Sequence, residues 1–332
     1  MRNALVTGGC GFLGSWIVRQ LCKQGVKVRI LALPDEPRDN VEGIDVEVRS
    51  GNVLRRSDVE AAVAGTDTVF HVAAVYRDWA PDPTSMYDVN IRGTFHVLEA
   101  ARRARVERVV YTASMVSIGR PEPGSLGDEQ TAYEGWDLDF PYSRSKYFSR
   151  ELAETFGQWD QDVRIVCPGL ILGPGDIRPT PSGRLIINSF LEGPAVHFSG
   201  GASYVDVRDA AAAHLLAAER GKPGERYLAT AHNLTNHDFV SAIDRATGRR
   251  RRQLRLPTGV ARTIIRTMEH RARRTGRPPL LTRHFFEYCQ KPSFYSNAKA
   301  VRELGATFRP MEDTLRDAIA YFRERGMIPD AH

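Results

Sequence analysis

Short apolar runs and helix-period stretches alternate along the first half of this chain. Runs rich in Val, Leu and Ile at Ala4–Thr7, Val26–Leu31, Val46–Ser50, Thr68–Ala73, Val106–Ala113 and Val163–Pro168 read as strands. Leu13, Trp16, Ile17 and Leu21 follow the first run at helical spacing, and helical patterns separate most of the others. Strands alternating with helices predict a parallel sheet covered on both faces, a doubly wound α/β fold whose ligands collect beyond the C-terminal strand ends. After Pro168 the regularity breaks into a Gly/Pro-rich stretch, Gly173 to Gly183, which reads as a long loop over the site. A further strand and helix are expected within Ser203–Arg220, and helical structure within Asn297–Arg325, broken at Gly305 to Pro310.

The first strand meets the first helix through Val6-Thr7-Gly8-Gly9-Cys10-Gly11-Phe12-Leu13-Gly14. Gly8 can take backbone angles that other residues avoid, Gly11 lets a pyrophosphate approach the backbone, and Gly14 lets the helix pack closely on the strand. The phosphates of a dinucleotide then face free amides and the positive end of a helix dipole. This predicts a Rossmann-like core over 1–168 and 204–230. Residues 169–203 and 231–332 are left as a smaller substrate-binding lid with the C-terminal helices.

Composition narrows the class. A chain of 332 residues with 42% hydrophobic content can bury a substantial core. No apolar run reaches the roughly 18 residues that span a bilayer, and Met1-Arg2-Asn3 leads straight into the first strand, so a cytoplasmic protein without stable membrane insertion is expected. Cys10, Cys22, Cys167 and Cys289 have neither metal-ligand spacing nor disulfide density. They read as reduced packing residues, with a reactive thiol at Cys10 as the alternative, and no metal site is expected. The net charge of +6 hides an asymmetry: Arg245 to Arg283 holds thirteen arginines and one acid, Glu269, hence +12, against −6 for the remainder. Ala261, Ile264, Ile265 and Met268 give that segment an apolar side, with Arg262, Arg266 and Arg273 elsewhere on the helix. A solvated face and a contact with an acidic substrate or membrane surface both remain open. Nucleic acid is not expected as a partner, because no aromatic interleaving or nucleic-acid motif accompanies the charge.

Tyr142 and Lys146, four residues apart in Pro141-Tyr142-Ser143-Arg144-Ser145-Lys146, share one face of a helix. A phenol holds its proton too tightly for exchange near neutrality, but an adjacent ammonium lowers its pKa and lets Tyr142 act as acid or base. Lys146 also suits the ribose hydroxyls of a cofactor. Thr112-Ala113-Ser114 ends a strand where ligands should lie, so Ser114 is the candidate to orient a substrate oxygen, with Ser117 in reserve.

With these motifs in order, the chain resembles the extended short-chain dehydrogenase/reductase family (the NAD-dependent epimerase/dehydratase type) over nearly its whole length. The resemblance also rests on Phe70-His71-Val72-Ala73-Ala74, Asp88-Val89-Asn90-Ile91-Arg92-Gly93-Thr94 and Tyr204-Val205-Asp206-Val207-Arg208-Asp209. It is most similar to the dihydroflavonol-reductase-like group, which includes proteins labelled hopanoid-associated sugar epimerase, through Tyr76 to Pro83 and Gly173 to Pro181. The resemblance implies a cofactor site made of the glycine turn with Phe12 and Leu13, of Ala73 and Ala74, and of Tyr142, Lys146, Pro168 and Leu170, with Asn90 bracing it. Leu33 stands where related reductases often carry Arg, which favours NAD and leaves NADP open, while Asp35 serves either the ribose or the turn after Pro34. Asn52, followed by Val53, replaces the usual Asp beside the adenine. Nucleotide-sugar epimerases carry Asn and Arg where this chain has Leu170 and Ala202, and the loss of such phosphate contacts favours a less polar substrate. Tyr76, Trp79, Tyr87 and the apolar residues near Ile186 are candidates to line its pocket. The expected function is NAD(P)-dependent interconversion of a ketone and a secondary alcohol on a small, fairly apolar molecule, with a homodimer open as a further partner. An NAD-dependent nucleotide-sugar epimerase and a non-catalytic nicotinamide-nucleotide sensor are the alternatives.

Overall fold

Ala4, Val6 and Ile30 face one side of the central sheet and Leu5 and Leu31 the other, and both sides are buried. That alternation within uninterrupted apolar runs is what a sheet covered by helices on both faces requires. In the computed structural model, residues 1–329 are described apart from Asp78, Ala80, Leu138 and Asp139. The first six strands are β1 (Asn3–Thr7), β2 (Lys27–Ala32), β3 (Glu47–Ser50), β4 (Thr68–His71), β5 (Arg108–Thr112) and β6 (Val163–Pro168). Three short strands follow, β7 (Leu170–Leu172), β8 (Ala195–His197) and β9 (Gly201–Asp206), before β10 (Arg226–Ala229) returns to the sheet. The sheet runs β10-β6-β5-β4-β1-β2-β3, every pair parallel, with Val6 between Ile30 and Phe70.

Helices Phe12–Lys23 and Val207–Arg220 pack together over one face; Arg56–Val63, Thr94–Arg103 and Pro141–Trp159 cover the other. The order in which strands are added reverses between β1 and β4, so the C-terminal ends of β1, β4 and β5 open a crevice at the switch point.

Beyond the core, β9 pairs with β7, with β11 (His232–Thr235) and with β13 (Pro292–Ser293), while β12 (Gln253–Arg255) pairs with β8. Tyr204 to Asp206, read from sequence as part of the core, therefore sit in this smaller sheet, because β7 leaves β6 after Gly169 and lies parallel beside them. The loop expected through Gly183 is also shorter: Thr180 caps a helix, Pro181–Asn188, with its hydroxyl on the Gly183 amide at 3.1 Å. Among the described residues no helix is long and apolar enough to cross a membrane.

Candidate active site

A cavity of about 420 Å³ opens at the switch point, in the size range of small-molecule sites. Its inner end is the glycine turn. Gly8 has φ of +70°, and a Cβ there would stand 2.9 Å from the Ala73 backbone. At Gly14 a Cβ would fall 2.1 Å from the Gly8 carbonyl, so the helix can reach the strand only with glycine at that position. Gly11, the N-cap of that helix, has no side chain to satisfy the first-turn amides, which leaves donors for a phosphate. Phe12, Leu13, Leu33, Asn52, Val53, Ala73 and Ala74 line the same cavity. Asn52 Oδ1 accepts from the Leu54 amide at 2.9 Å, which fixes the orientation of its amide group.

At the end of β2, Glu36 lines the cavity and accepts from the Leu33 amide at 3.2 Å, whereas Asp35 is exposed and does not line it. The acid at this strand end is thus Glu36, one residue beyond the candidate read from sequence. Burial pushes the Cys10 thiol up to about 11, which fits a packing residue rather than a reactive thiolate. The glycine cradle, uncapped helix end and acid suit a dinucleotide with an unphosphorylated ribose.

Ser114, Tyr142 and Lys146 converge at the end of β5, and all three line the cavity with Pro168 and Leu170. Pro141 starts the helix that carries Tyr142 and Lys146, preset for its first turn. Lys146 is buried; its Nζ donates to the Thr112 carbonyl at 2.6 Å and to the Tyr111 hydroxyl at 3.2 Å. Burial raises the Tyr142 pKa, while the Lys146 charge and a hydrogen bond with Ser114 pull it down. Burial likewise lowers Lys146, with Tyr142 opposing. Each group therefore favours ionisation of the other. Ser114 is half-buried, whereas Ser117 is fully buried and donates to the Ser114 carbonyl at 2.6 Å. The reserve serine holds the loop and does not line the cavity.

A buried polar network ties this set to the core, and of its members His214 was not picked out from sequence. His71 bridges the hydroxyls of Thr7 and Thr94 at 2.7 and 2.9 Å, and Thr94 donates to the Asn90 carbonyl at 2.6 Å. His214, from the helix Val207–Arg220, joins the Thr112 hydroxyl at 2.9 Å to the Ala210 carbonyl at 2.7 Å. Burial, and next the Lys146 charge at His71, lowers their pKa values to about 3 and about 4, so both rings are neutral. Asn90 clamps the loop that carries Tyr76: it accepts from the Val75 amide at 2.8 Å and donates to the Val75 carbonyl at 3.0 Å. Asp206 and Asp209 of the later motif are structural instead. Asp206 caps its helix and pairs with Arg208 at 2.7 Å, and Asp209 pairs with Arg309 at 2.7 Å, fastening the C-terminal segment to the core.

The outer end of the cavity is apolar. Tyr76, Val116, Phe140 and Ile171 line it with Phe285 and Tyr288 from the helix Arg283–Cys289, while Thr180 and Ser182 add hydroxyls. Neither Phe285 nor Tyr288 was picked out from sequence, although their spacing of three puts them on one helical face. Trp79 and Tyr87 are half-buried and do not line the cavity, Ile186 is core, and Ala202 is buried in β9. Asp78 and Ala80, within the stretch Tyr76 to Pro83, lie outside the described residues. None of the thirteen arginines lines the cavity, and of the apolar side expected for that segment Ala261 and Ile265 are buried while Ile264 is exposed.

Residues 4–229 match the NAD dependent epimerase/dehydratase family. The chain belongs to that family, and its fold and site define a nicotinamide-dependent enzyme of the extended short-chain dehydrogenase/reductase type. It is 33% identical over 327 residues to a dihydroflavonol 4-reductase-like protein of Synechocystis sp., covering 97% of this chain and 95% of that one. It is 32% identical to sterol demethylase protein B of Methylococcus capsulatus, across 98% of this chain and all of the relative. The crystal structure of gox2253 superposes with a TM-score of 0.87 at 32% identity, covering 99% of this chain and 100% of that one.

Proposed function

We propose that the protein interconverts a ketone and a secondary alcohol on a small, largely apolar molecule, with NAD as the redox partner. The convergence of Ser114, Tyr142 and Lys146 under an apolar wall carries this reading. The bound nicotinamide supplies hydride exchange at the substrate carbon. Tyr142 gives a proton to the substrate oxygen during reduction and takes it back during oxidation, and Ser114 holds that oxygen in place. Lys146 favours the phenolate when the proton leaves and presents a remaining N–H to the cofactor ribose. Phe285 and Tyr288 close the outer end as a lid over the Rossmann-like core and exclude water. Leu170 at the cavity edge offers no charge to a sugar-nucleotide phosphate. The names of the two relatives, for a dihydroflavonol reductase and a sterol demethylase, point to ring-bearing substrates with a carbonyl or hydroxyl.

The test is a substrate panel assayed with and without added NAD(H) and NADP(H). Net oxidation or reduction in step with the nicotinamide supports the reading. Interconversion of sugar nucleotides without added cofactor assigns an epimerase instead, and cofactor binding with no turnover a sensor. The four free thiols fit a cytoplasmic setting. A homodimer is the reading for the exposed aromatics Phe95, Phe148 and Trp159 on the neighbouring helices Thr94–Arg103 and Pro141–Trp159.

A further inference from the structure

The middle of the arginine-rich segment forms a largely exposed helix, Thr258–Thr275, which is the outer layer of the lid. Ala261, Ile265 and Phe286 form a small core of their own, which seats this helix on Arg283–Cys289. That second helix turns Phe286 outward to its cover and Phe285 and Tyr288 inward to the cavity. The basic helix is thus one layer removed from the site, and its charge cannot be read as a contact with the reacting substrate.

Three faces divide it. One is buried. A second carries Val260, Ile264, Arg271 and Arg274 along one line, with Val260 and Ile264 49% and 40% exposed. The third carries Arg266 and Arg273, both exposed. Among the described residues the only ion pair on this helix joins Arg262 to Glu287 at 2.8 Å. Glu269, its one acid, is occupied by the Arg283 amide at 2.7 Å. The strand leading to the helix carries a second exposed apolar pair, Leu254 in register with Val196.

We propose that this outer layer of the lid is a docking surface for anionic lipid bilayers. Arginines left unneutralised supply attraction to a negatively charged leaflet, and Val260 and Ile264 supply apolar contact with the acyl boundary. A solvated face predicts that replacing Val260 and Ile264 leaves partitioning unchanged, and a nucleic-acid backbone would engage the charge alone. Docking there sets the lid of an apolar cavity against the phase in which apolar molecules concentrate. The proposal concerns surface association and stands whichever reaction the cavity performs.

Co-sedimentation of the full-length protein with phosphatidylglycerol and with phosphatidylcholine vesicles tests it. Binding is expected to the anionic vesicles alone and to weaken steeply from about 0.1 M to 1 M salt, where the Debye length drops from about 10 Å to about 3 Å. Arg266→Glu/Arg273→Glu/Arg274→Glu should lower partitioning by about a hundredfold or more, at roughly fivefold for each basic residue lost. Val260→Asp/Ile264→Asp should lower it as well, with NAD binding unchanged in both variants as the check on folding. No binding to anionic vesicles at low salt, indifference to either variant, or preference for duplex DNA over the vesicles would overturn the proposal.

Discussion

The ring of Tyr76 rests on that of Tyr142, with centroids 4.3 Å apart and planes inclined by 37°. Phe140 stands on another side at 6.1 Å. Tyr142 is therefore held by its ring, so Tyr142→Phe keeps the packing and removes only the hydroxyl, the proposed proton carrier. Turnover should drop by about 10²–10⁴, the usual worth of a positioned acid or base. NAD affinity, read by calorimetry, should stay within about twofold, because removing one hydroxyl leaves the glycine cradle intact. Undiminished kcat with a saturating ketone would take the acid–base role from Tyr142.

Lys146 sets the pH at which that hydroxyl ionises. Its charge is the larger of the two influences that oppose burial at Tyr142, the other being Ser114, so Lys146→Met raises the phenol pKa further. Alcohol oxidation needs the phenolate, and its acidic limb should move to higher pH; ketone reduction needs the phenol and should keep its rate at low pH once cofactor saturates. A pH–rate profile in both directions, at saturating NAD or NADH, reads the difference. An acidic limb at the wild-type pH would mean that the lysine only holds cofactor.

The inner half of the site was legible because local rules fix it: Gly8 and Gly14 are set by one tight turn, and Tyr142 and Lys146 by one helical spacing. The outer half was not. Phe285 and Tyr288 reach the cavity from a seven-residue helix more than 130 positions after Tyr142, and tertiary packing, rather than any period in the sequence, puts them there. The strands β7, β8, β12 and β13 have three residues or fewer, too few to show an alternation, and owe their existence to their partners. His214 stands in an alanine-rich helix that reads as plain core, and its bond to Thr112 shows only once β5 and that helix are packed. Glu36 and Asp35 differ by one residue in an irregular turn, which no periodicity resolves.

Glu36 is expected to choose between the two nicotinamide cofactors. Its carboxylate lines the cavity at the end of β2, where it can accept from ribose hydroxyls and repels a phosphate. Glu36→Gln removes the repulsion, and kcat/KM for NADPH relative to NADH should rise by about tenfold, a modest electrostatic gain at a half-buried position. An unchanged ratio would move the selectivity elsewhere in the turn.

Phe148 and Trp159 are 44% and 73% exposed on one helix beside Phe95, an aromatic area that water covers poorly in a monomer. Analytical ultracentrifugation should find a dimer for the native chain and a monomer for Phe148→Glu/Trp159→Glu, since two buried carboxylates lack partners there. A native monomer at tens of micromolar would end the dimer reading.

Asp176 should make stability depend on pH in an unusual direction. Burial raises its pKa from 3.8 to about 6, against hydrogen bonds from the Thr180 amide and hydroxyl and the charge of Arg184. The folded chain therefore holds this proton more tightly than the unfolded one. The stabilisation is complete below pH 4 and is lost as pH rises through about 6; the shift corresponds to about 3 kcal/mol. Asp176→Asn keeps an oxygen for Thr180 and cannot ionise, so its stability relative to the native chain should improve by about 2–3 kcal/mol between pH 4 and pH 7. Urea melts of both chains across that range measure the difference directly, and a constant gap would show that the carboxyl does not titrate there. Thr180 lines the cavity and caps Pro181–Asn188, so ionisation of Asp176 acts on the loop that borders the substrate end.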